Sequence, residues 1–69
     1  MQRLLTPREY EIAQLVARGK TNRAIAALLC VSQRTVENHL YSAYSKLGIN
    51  SRTQLAFIMY SGDAMPIAV

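Results

Sequence analysis

Cysteine and histidine are nearly absent from this 69-residue chain, which has one of each, Cys30 and His39. One thiol closes no disulfide, and with one imidazole it supplies too few ligands for a structural zinc site. Neither cross-links nor metal are therefore expected to hold the fold, and a reducing, cytoplasmic setting is the default. No apolar run approaches the roughly 20 residues that a membrane-spanning helix needs. No basic-then-apolar leader opens the chain, so neither a membrane partner nor a secretory signal is expected. Glycine and proline are sparse, three and two residues, and they stand where apolar periodicity breaks; no repeat, linker or low-complexity stretch is present. The length allows one domain and little room for a deep enclosed pocket, which sets an enzyme, and with it any cofactor, far down the order of expectation. Acidic residues are scarce as well: four against eight Lys and Arg, a formal charge of +4. A surplus of that sign points to an anionic partner, provided the basic residues cluster.

What is present is a 51% hydrophobic sequence with helical spacing throughout. Thr6, Pro7 and Glu9 form a capping-box pattern with proline at the first helical position, and Leu5 and Tyr10 are placed for a hydrophobic staple. Ile12, Leu15 and Val16 continue as one stripe, and Gly19 supplies a left-handed stop, so a helix is predicted over Pro7 to Arg18. Thr21 caps a short helix from Asn22 to about Leu29, with Ile25, Ala26 and Leu29 inward. After a turn at Cys30-Val31, Ser32 caps a helix from Gln33 to Leu47 that ends at Gly48. Val36, Leu40, Ala43 and Leu47 line its inner face. Two helices joined by a connection of about three residues make a helix-turn-helix pattern. Ser51 and Gln54 form a second capping box, opening a fourth helix whose stretch Leu55 to Tyr60 is apolar on every side. So small a domain can cover only one side of such a helix. Leu55 and Met59 are expected to face inward or to be shared, and Phe57 or Ile58 to be more exposed. Residues 62–69 read as a tail.

With the third helix turned core-side in, its outer face shows Arg34, Glu37, Asn38, Tyr41, Ser42 and Ser45. Arg34, Asn38, Tyr41 and Ser45 recur at spacings of four, three and four. Arg bonds guanine O6 and N7 in pairs, and Asn does the same to adenine N6 and N7, so the stripe suits base-edge reading in a major groove. An ordinary solvated helix face would look similar. The surrounding charge favours the first reading: Lys20 and Arg23 flank the start of the second helix, Lys46 closes the third, and Arg52 opens the fourth. Thr21, Asn22, Ser32 and Thr35 lie at helix N-termini, where amide groups and the dipole attract phosphate. Glu37 departs from simple attraction to DNA; a carboxylate can accept from cytosine N4 or reject wrong sequences. Neutralisation of four or five phosphates around these helix ends predicts a log–log salt slope of roughly −4 for duplex binding.

The strings Leu5-Thr6-Pro7-Arg8-Glu9, Gly19-Lys20-Thr21-Asn22-Arg23-Ala24-Ile25-Ala26, Val31-Ser32-Gln33-Arg34-Thr35-Val36-Glu37-Asn38-His39-Leu40 and Lys46-Leu47-Gly48-Ile49-Asn50-Ser51-Arg52 resemble the LuxR-type (GerE/NarL-like) helix-turn-helix DNA-binding domain. The resemblance covers roughly residues 4–61. It implies an all-α fold of four helices, a three-helix core plus a C-terminal dimerisation helix, from a bacterial transcription regulator acting as activator or repressor. By its motifs, base contacts fall on Glu37, Asn38 and Tyr41, and phosphate contacts on Thr21, Asn22, Arg23, Thr35 and Arg52. Many relatives are basic at the first and last of those base-contact positions, so their target sequence does not carry over. The dimer surface falls on Leu55, Phe57, Ile58 and Met59. An inverted-repeat DNA operator and a second copy of the chain are the expected partners, with RNA polymerase a further candidate. Cys30 stands where many helix-turn-helix turns have glycine, which a non-glycine residue accepts with a negative φ.

Among the remaining residues, His39 reads as a partly buried structural histidine, Cys30 as a small buried hydrophobe, and Glu9 and Glu11 as helix-start charge that complements the dipole. Two other functions compete with a dimeric regulator. One is a helical protein-interaction module working through the fourth helix; the other is a sigma-like helix-turn-helix that contacts promoter DNA without self-association. Strong salt dependence of duplex binding separates the first from both DNA-binding readings.

Overall fold

The computed structural model describes residues 5–61, which form four helices: α1 (Pro7–Ala17), α2 (Asn22–Leu29), α3 (Gln33–Leu47) and α4 (Arg52–Ser61). The tail read over 62–69 lies outside the described residues. Each start is set by the side chain that the sequence places there. The Thr6 hydroxyl accepts from the Glu9 amide at 3.1 Å while Glu9 Oε1 accepts from the Thr6 amide at 2.9 Å, closing the capping box. Thr21 and Ser32 accept from the Ala24 and Thr35 amides at 3.1 and 3.0 Å. Ser51 accepts from the Gln54 amide at 3.1 Å, but the returning bond runs from the Asn50 amide to Gln54 Oε1, one residue before the cap. Each of these bonds satisfies amides that the first helical turn would otherwise leave without partners.

α1 ends at Ala17, one residue short of the predicted bound, because Arg18 already leaves helical geometry (φ −83°, ψ 3°) and Gly19 turns left-handed at φ +84°. The Lys20 amide then bonds back to the Leu15 carbonyl at 3.1 Å, which fixes the entry into α2. Gly48 does the same for α3 at φ +70°.

The core is a cluster of Leu5, Ile12, Ala13, Val16, Ile25, Ala26, Val36, Leu40, Ala43 and Leu55, with Tyr10, Leu15, Leu29, Val31, Tyr44, Leu47, Ile49 and Met59 packed around it. α1 is its axis and packs on both α3 and α4; α2 packs on α3 and meets α1 only at a margin. The result is a four-helix unit in which the helix-turn-helix, α2 and α3, packs on α1 through α3, and α4 packs on α1 as well. α3 thereby buries Val36, Leu40 and Ala43 and turns the opposite side outward.

Cys30 departs from expectation twice. It is exposed rather than buried, and its φ is +58° with ψ 43°, left-handed rather than negative. The cause lies in the chain path: Cys30 is the C-cap of α2, and a three-residue connection to α3 requires a left-handed residue there, so its side chain points away from the core. A non-glycine residue in that region costs about 1–2 kcal/mol, partly offset by the larger unfolded-state entropy of glycine. Cys30→Gly is therefore expected to raise stability by about 0.5–1 kcal/mol, read as a higher urea midpoint at unchanged m-value.

Candidate nucleic-acid interface

The outward side of α3 carries Arg34, Asn38, Tyr41 and Ser45, all exposed, in one line along the helix, with Glu37 and Ser42 half-buried beside them. Tyr41 is braced: its ring centroid lies 6.4 Å from that of Tyr44 at an interplanar angle of 58°. Tyr44 in turn leans on the core. Tyr44 was not among the residues singled out from sequence, although its i,i+3 spacing from Tyr41 was available as a signal. At the N-terminus of α3 the Ser32 and Thr35 hydroxyls lie 3.0 Å apart, so Thr35, expected at a phosphate, is engaged locally.

The second group gathers at the N-terminus of α2. Lys20, Thr21 and Arg23 are exposed and Asn22 is half-buried. Arg52 reaches this end from α4: Nη1 donates to Asn22 Oδ1 at 2.7 Å and Nη2 donates to the Lys20 carbonyl. The sequence placed Arg52 only at the start of α4; its reach to the α2 terminus was not foreseen, and two of its donors are committed within the fold.

Lys46 does not join the group as a free cation. Its Nζ lies 2.8 Å from Glu9 Oε1, with the two side chains 22% and 5% exposed. The pair bridges α3 and α1 across 37 residues of sequence. Burial alone would raise the Glu9 pKa, but the Lys46 ammonium, the Thr6 amide and the Ser42 hydroxyl together outweigh it and hold the carboxyl at about 2. Glu9 is therefore an internal anion, a role beyond the helix-start charge read from sequence, and it neutralises a lysine assigned to phosphate. Glu11 lies beyond the first turn of α1, past the helix-start position read for it, and pairs with Arg8 at 3.3 Å in the open. His39 is half-buried on the flank of α3. Among the described residues no group of three or more His, Cys, Asp or Glu side chains could hold a metal ion, and no helix is long and apolar enough to cross a membrane.

α4 divides its apolar residues between two sides. Leu55 is 0% exposed and lies wholly within the core, so it has no surface to offer a second copy, contrary to its place in the expected dimer set. The reason is packing: α1 covers that side of α4. Met59 is half-buried against the core, and Ile58 is half-buried outside it. Phe57 and Tyr60 are 70% and 89% exposed. Phe57 and Ile58, with Ile49, Thr53 and Gln54, line a shallow groove of about 390 Å³.

The family model described as bacterial regulatory proteins, luxR family, matches residues 3–59. The spore germination protein GerE of Bacillus subtilis is 45% identical over 51 residues, which cover 74% of this chain and 69% of that protein. The transcriptional regulatory protein ComA of Bacillus subtilis is 45% identical over 64 residues, 93% of this chain and 30% of ComA. A protein of Mycobacterium tuberculosis, Rv0890c, whose name describes an HTH-type transcriptional regulator, is 51% identical over 51 residues, 74% of this chain. The chain spans only 6% of the length of that protein and of two further mycobacterial relatives of equal similarity.

Proposed function

Because the chain belongs to the luxR family of bacterial regulatory proteins and is a DNA-binding helix-turn-helix domain of transcription regulation, we propose that α3 enters the major groove of duplex DNA and reads bases through Arg34, Glu37, Asn38 and Tyr41. The observation that carries this reading is the single exposed line of Arg34, Asn38, Tyr41 and Ser45, opposite the buried Val36, Leu40 and Ala43. Hydrogen-bonding side chains on a helix held rigidly from behind are what base-edge recognition requires. Lys20, Arg23 and the first amides of α2, with Thr21, Asn22 and Thr35, then grip backbone phosphate and set the register of α3. A domain acting on bacterial DNA works in the cytoplasm.

The pairing of Lys46 with Glu9 lowers the number of cations free for phosphate. Among the described residues, Lys20, Arg23 and Arg34 near the two helix starts have no acidic partner, so the log–log salt slope of duplex binding is expected near −3 rather than −4. Arg23→Ala lowers affinity for every sequence alike and makes the slope shallower by about one. Asn38→Ala and Tyr41→Ala instead reduce discrimination between selected and random duplexes, each by about 1–3 kcal/mol. Fluorescence anisotropy across a salt series, on a duplex selected from a random pool and on an unselected one, measures both. A slope near zero, or equal losses on both duplexes for the α3 variants, would overturn the reading.

A specific observation also favours a two-fold dimer through α4: Phe57 and Tyr60 stand exposed beside the groove that Phe57 and Ile58 line. Large apolar side chains left in water forgo about 1.5–3 kcal/mol each of burial, and pairing with the same helix of a second copy recovers part of it. Phe57, Ile58 and the outer part of Met59 form this seam. Two α3 helices would then face successive major grooves of an inverted repeat with half-sites about 10 bp apart.

A further inference from the structure

Arg52 opens α4, yet its guanidinium closes on the start of α2, holding Asn22 Oδ1 and the Lys20 carbonyl together. These two acceptors bracket Thr21, the N-cap of α2. The other ties near this end are the Lys20 amide bond to the Leu15 carbonyl and the buried Ile25 one turn on, while α2 meets α1 only at a margin. We propose that Arg52 is a positioning residue for DNA binding: from the base of α4 it sets the place and direction of the α2 N-terminus that grips phosphate. The proposal rests on the duplex-DNA reading above and deepens it.

The geometry of a lever supports it. α2 joins α3 through the turn at Cys30 to Ser32, and Ile25 and Ala26 hold its middle to the core. Its eight residues carry the N-terminus roughly 12 Å from that turn, at 1.5 Å per residue. A tilt of about 10° over that length moves the end by about 2 Å, more than a hydrogen bond tolerates. The Asn22 and Arg23 amides occupy the first two helical positions, where no intrahelical acceptor exists, so they are free for a phosphate only if they point at one. The position of that phosphate is dictated by α3 in the groove. An attachment at the far end of α2 therefore decides whether both helices fit one duplex at once.

A planar fork suits the task. Arginine presents two donors at fixed spacing to two acceptors, whereas lysine offers one mobile point charge. The same element that exposes Phe57 and Tyr60 thus also holds the phosphate grip, so the setting of α4 is transmitted to α2 through one side chain.

Charge and positioning are separated by Arg52→Lys, which keeps the first and loses the fork. The whole chain is titrated against an unselected 20-bp duplex in a salt series, at a temperature where circular dichroism shows each variant fully helical. The expected result is affinity about tenfold lower for Arg52→Lys at every salt concentration, with a slope equal to wild type. Asn22→Ala, which leaves all charges in place, is expected to lose a comparable factor, and the double variant no more than the greater single loss, because both cut the same link. Arg52→Lys binding within twofold of wild type, additive losses in the double variant, or a slope shallower by about one for Arg52→Gln than for Arg52→Lys would overturn the proposal in favour of direct phosphate neutralisation. Should Arg52→Lys be unfolded at the assay temperature, Arg52→Gln decides: a tenfold loss at the wild-type slope supports the proposal, and wild-type affinity or a slope shallower by about one overturns it. Absence of salt-dependent duplex binding by the wild type overturns the DNA reading and this proposal with it, whereas normal wild-type binding with an unaffected Arg52→Lys overturns this proposal only.

Discussion

Acidification from pH 5 to pH 2 is expected to remove about 3 kcal/mol of stability through Glu9 alone. Its carboxyl is held at about 2 in the folded domain, against an ordinary glutamate value near 4.3 when unfolded. A depressed folded value means that the unfolded chain binds the proton more readily. The contribution is therefore complete above about pH 4.5 and is lost as pH falls toward 2. A shift of that size corresponds to about 3 kcal/mol, and the 5% exposure of the side chain leaves little solvent to screen it. Set against a total of about 5–15 kcal/mol for a whole domain, the loss is large. Glu9→Gln is expected to cost about 2–3 kcal/mol at pH 7 and to flatten the pH dependence between 5 and 2. The amide oxygen can still accept from Thr6, and the lysine, 22% exposed, can turn toward water. Lys46→Met should cost more, because it leaves the carboxylate buried with its main counter-charge gone. The double variant should recover part of that loss. Urea unfolding at pH 7, 4 and 2.5 measures all of these. A Glu9→Gln variant as acid-sensitive as wild type would show that the ion pair is not the source of the pH dependence.

The two sides of α4 are expected to separate folding from assembly. Leu55→Ala removes three heavy atoms from a site with 0% exposure and should cost about 2–5 kcal/mol, with much of the population unfolded at 37 °C. Phe57→Glu acts on a side chain 70% exposed and should change stability by no more than about 0.5 kcal/mol. It places a charge in the proposed seam, however, and should abolish cooperative binding to a full inverted repeat while leaving half-site binding intact. Thermal unfolding and footprinting on full and half operators distinguish the two outcomes. Cooperativity that survives Phe57→Glu, or selected sites without two-fold symmetry, would remove the α4 dimer and favour a monomeric, sigma-like mode.

The local structure was legible because its determinants lie within four residues of one another. Thr6 with Glu9, Thr21 with Ala24 and Ser32 with Thr35 are bonds between near neighbours, so the helix starts could be placed from sequence. The facing of α3 followed from the spacing of Val36, Leu40 and Ala43 for the same reason. What escaped sequence reading depends on distance along the chain or on path. The partners of Lys46 and Arg52 lie 37 and 30 residues away, and nothing local distinguishes a lysine that will find a carboxylate from one left in solvent. By contrast, Leu55 inward and Phe57 exposed follow the sequence expectation, with α1 covering the Leu55 side of α4. Cys30 misled because burial is a tendency of its side chain, whereas its place in the turn is set by backbone geometry.

The marginal meeting of α2 with α1 bears on the order in which the domain opens. α1, α3 and the inner side of α4 share one core, and their amides should exchange with solvent only when the whole domain unfolds. α2 contributes one fully buried side chain, Ile25, with Ala26 largely buried beside it, and is held elsewhere by its packing on α3, a turn and a polar tie. It is the element able to detach while the rest stays folded, with an opening free energy below the global one. The helix proposed to grip phosphate is thus also a weakly protected one, and a bound duplex, by holding it closed, should slow exchange there.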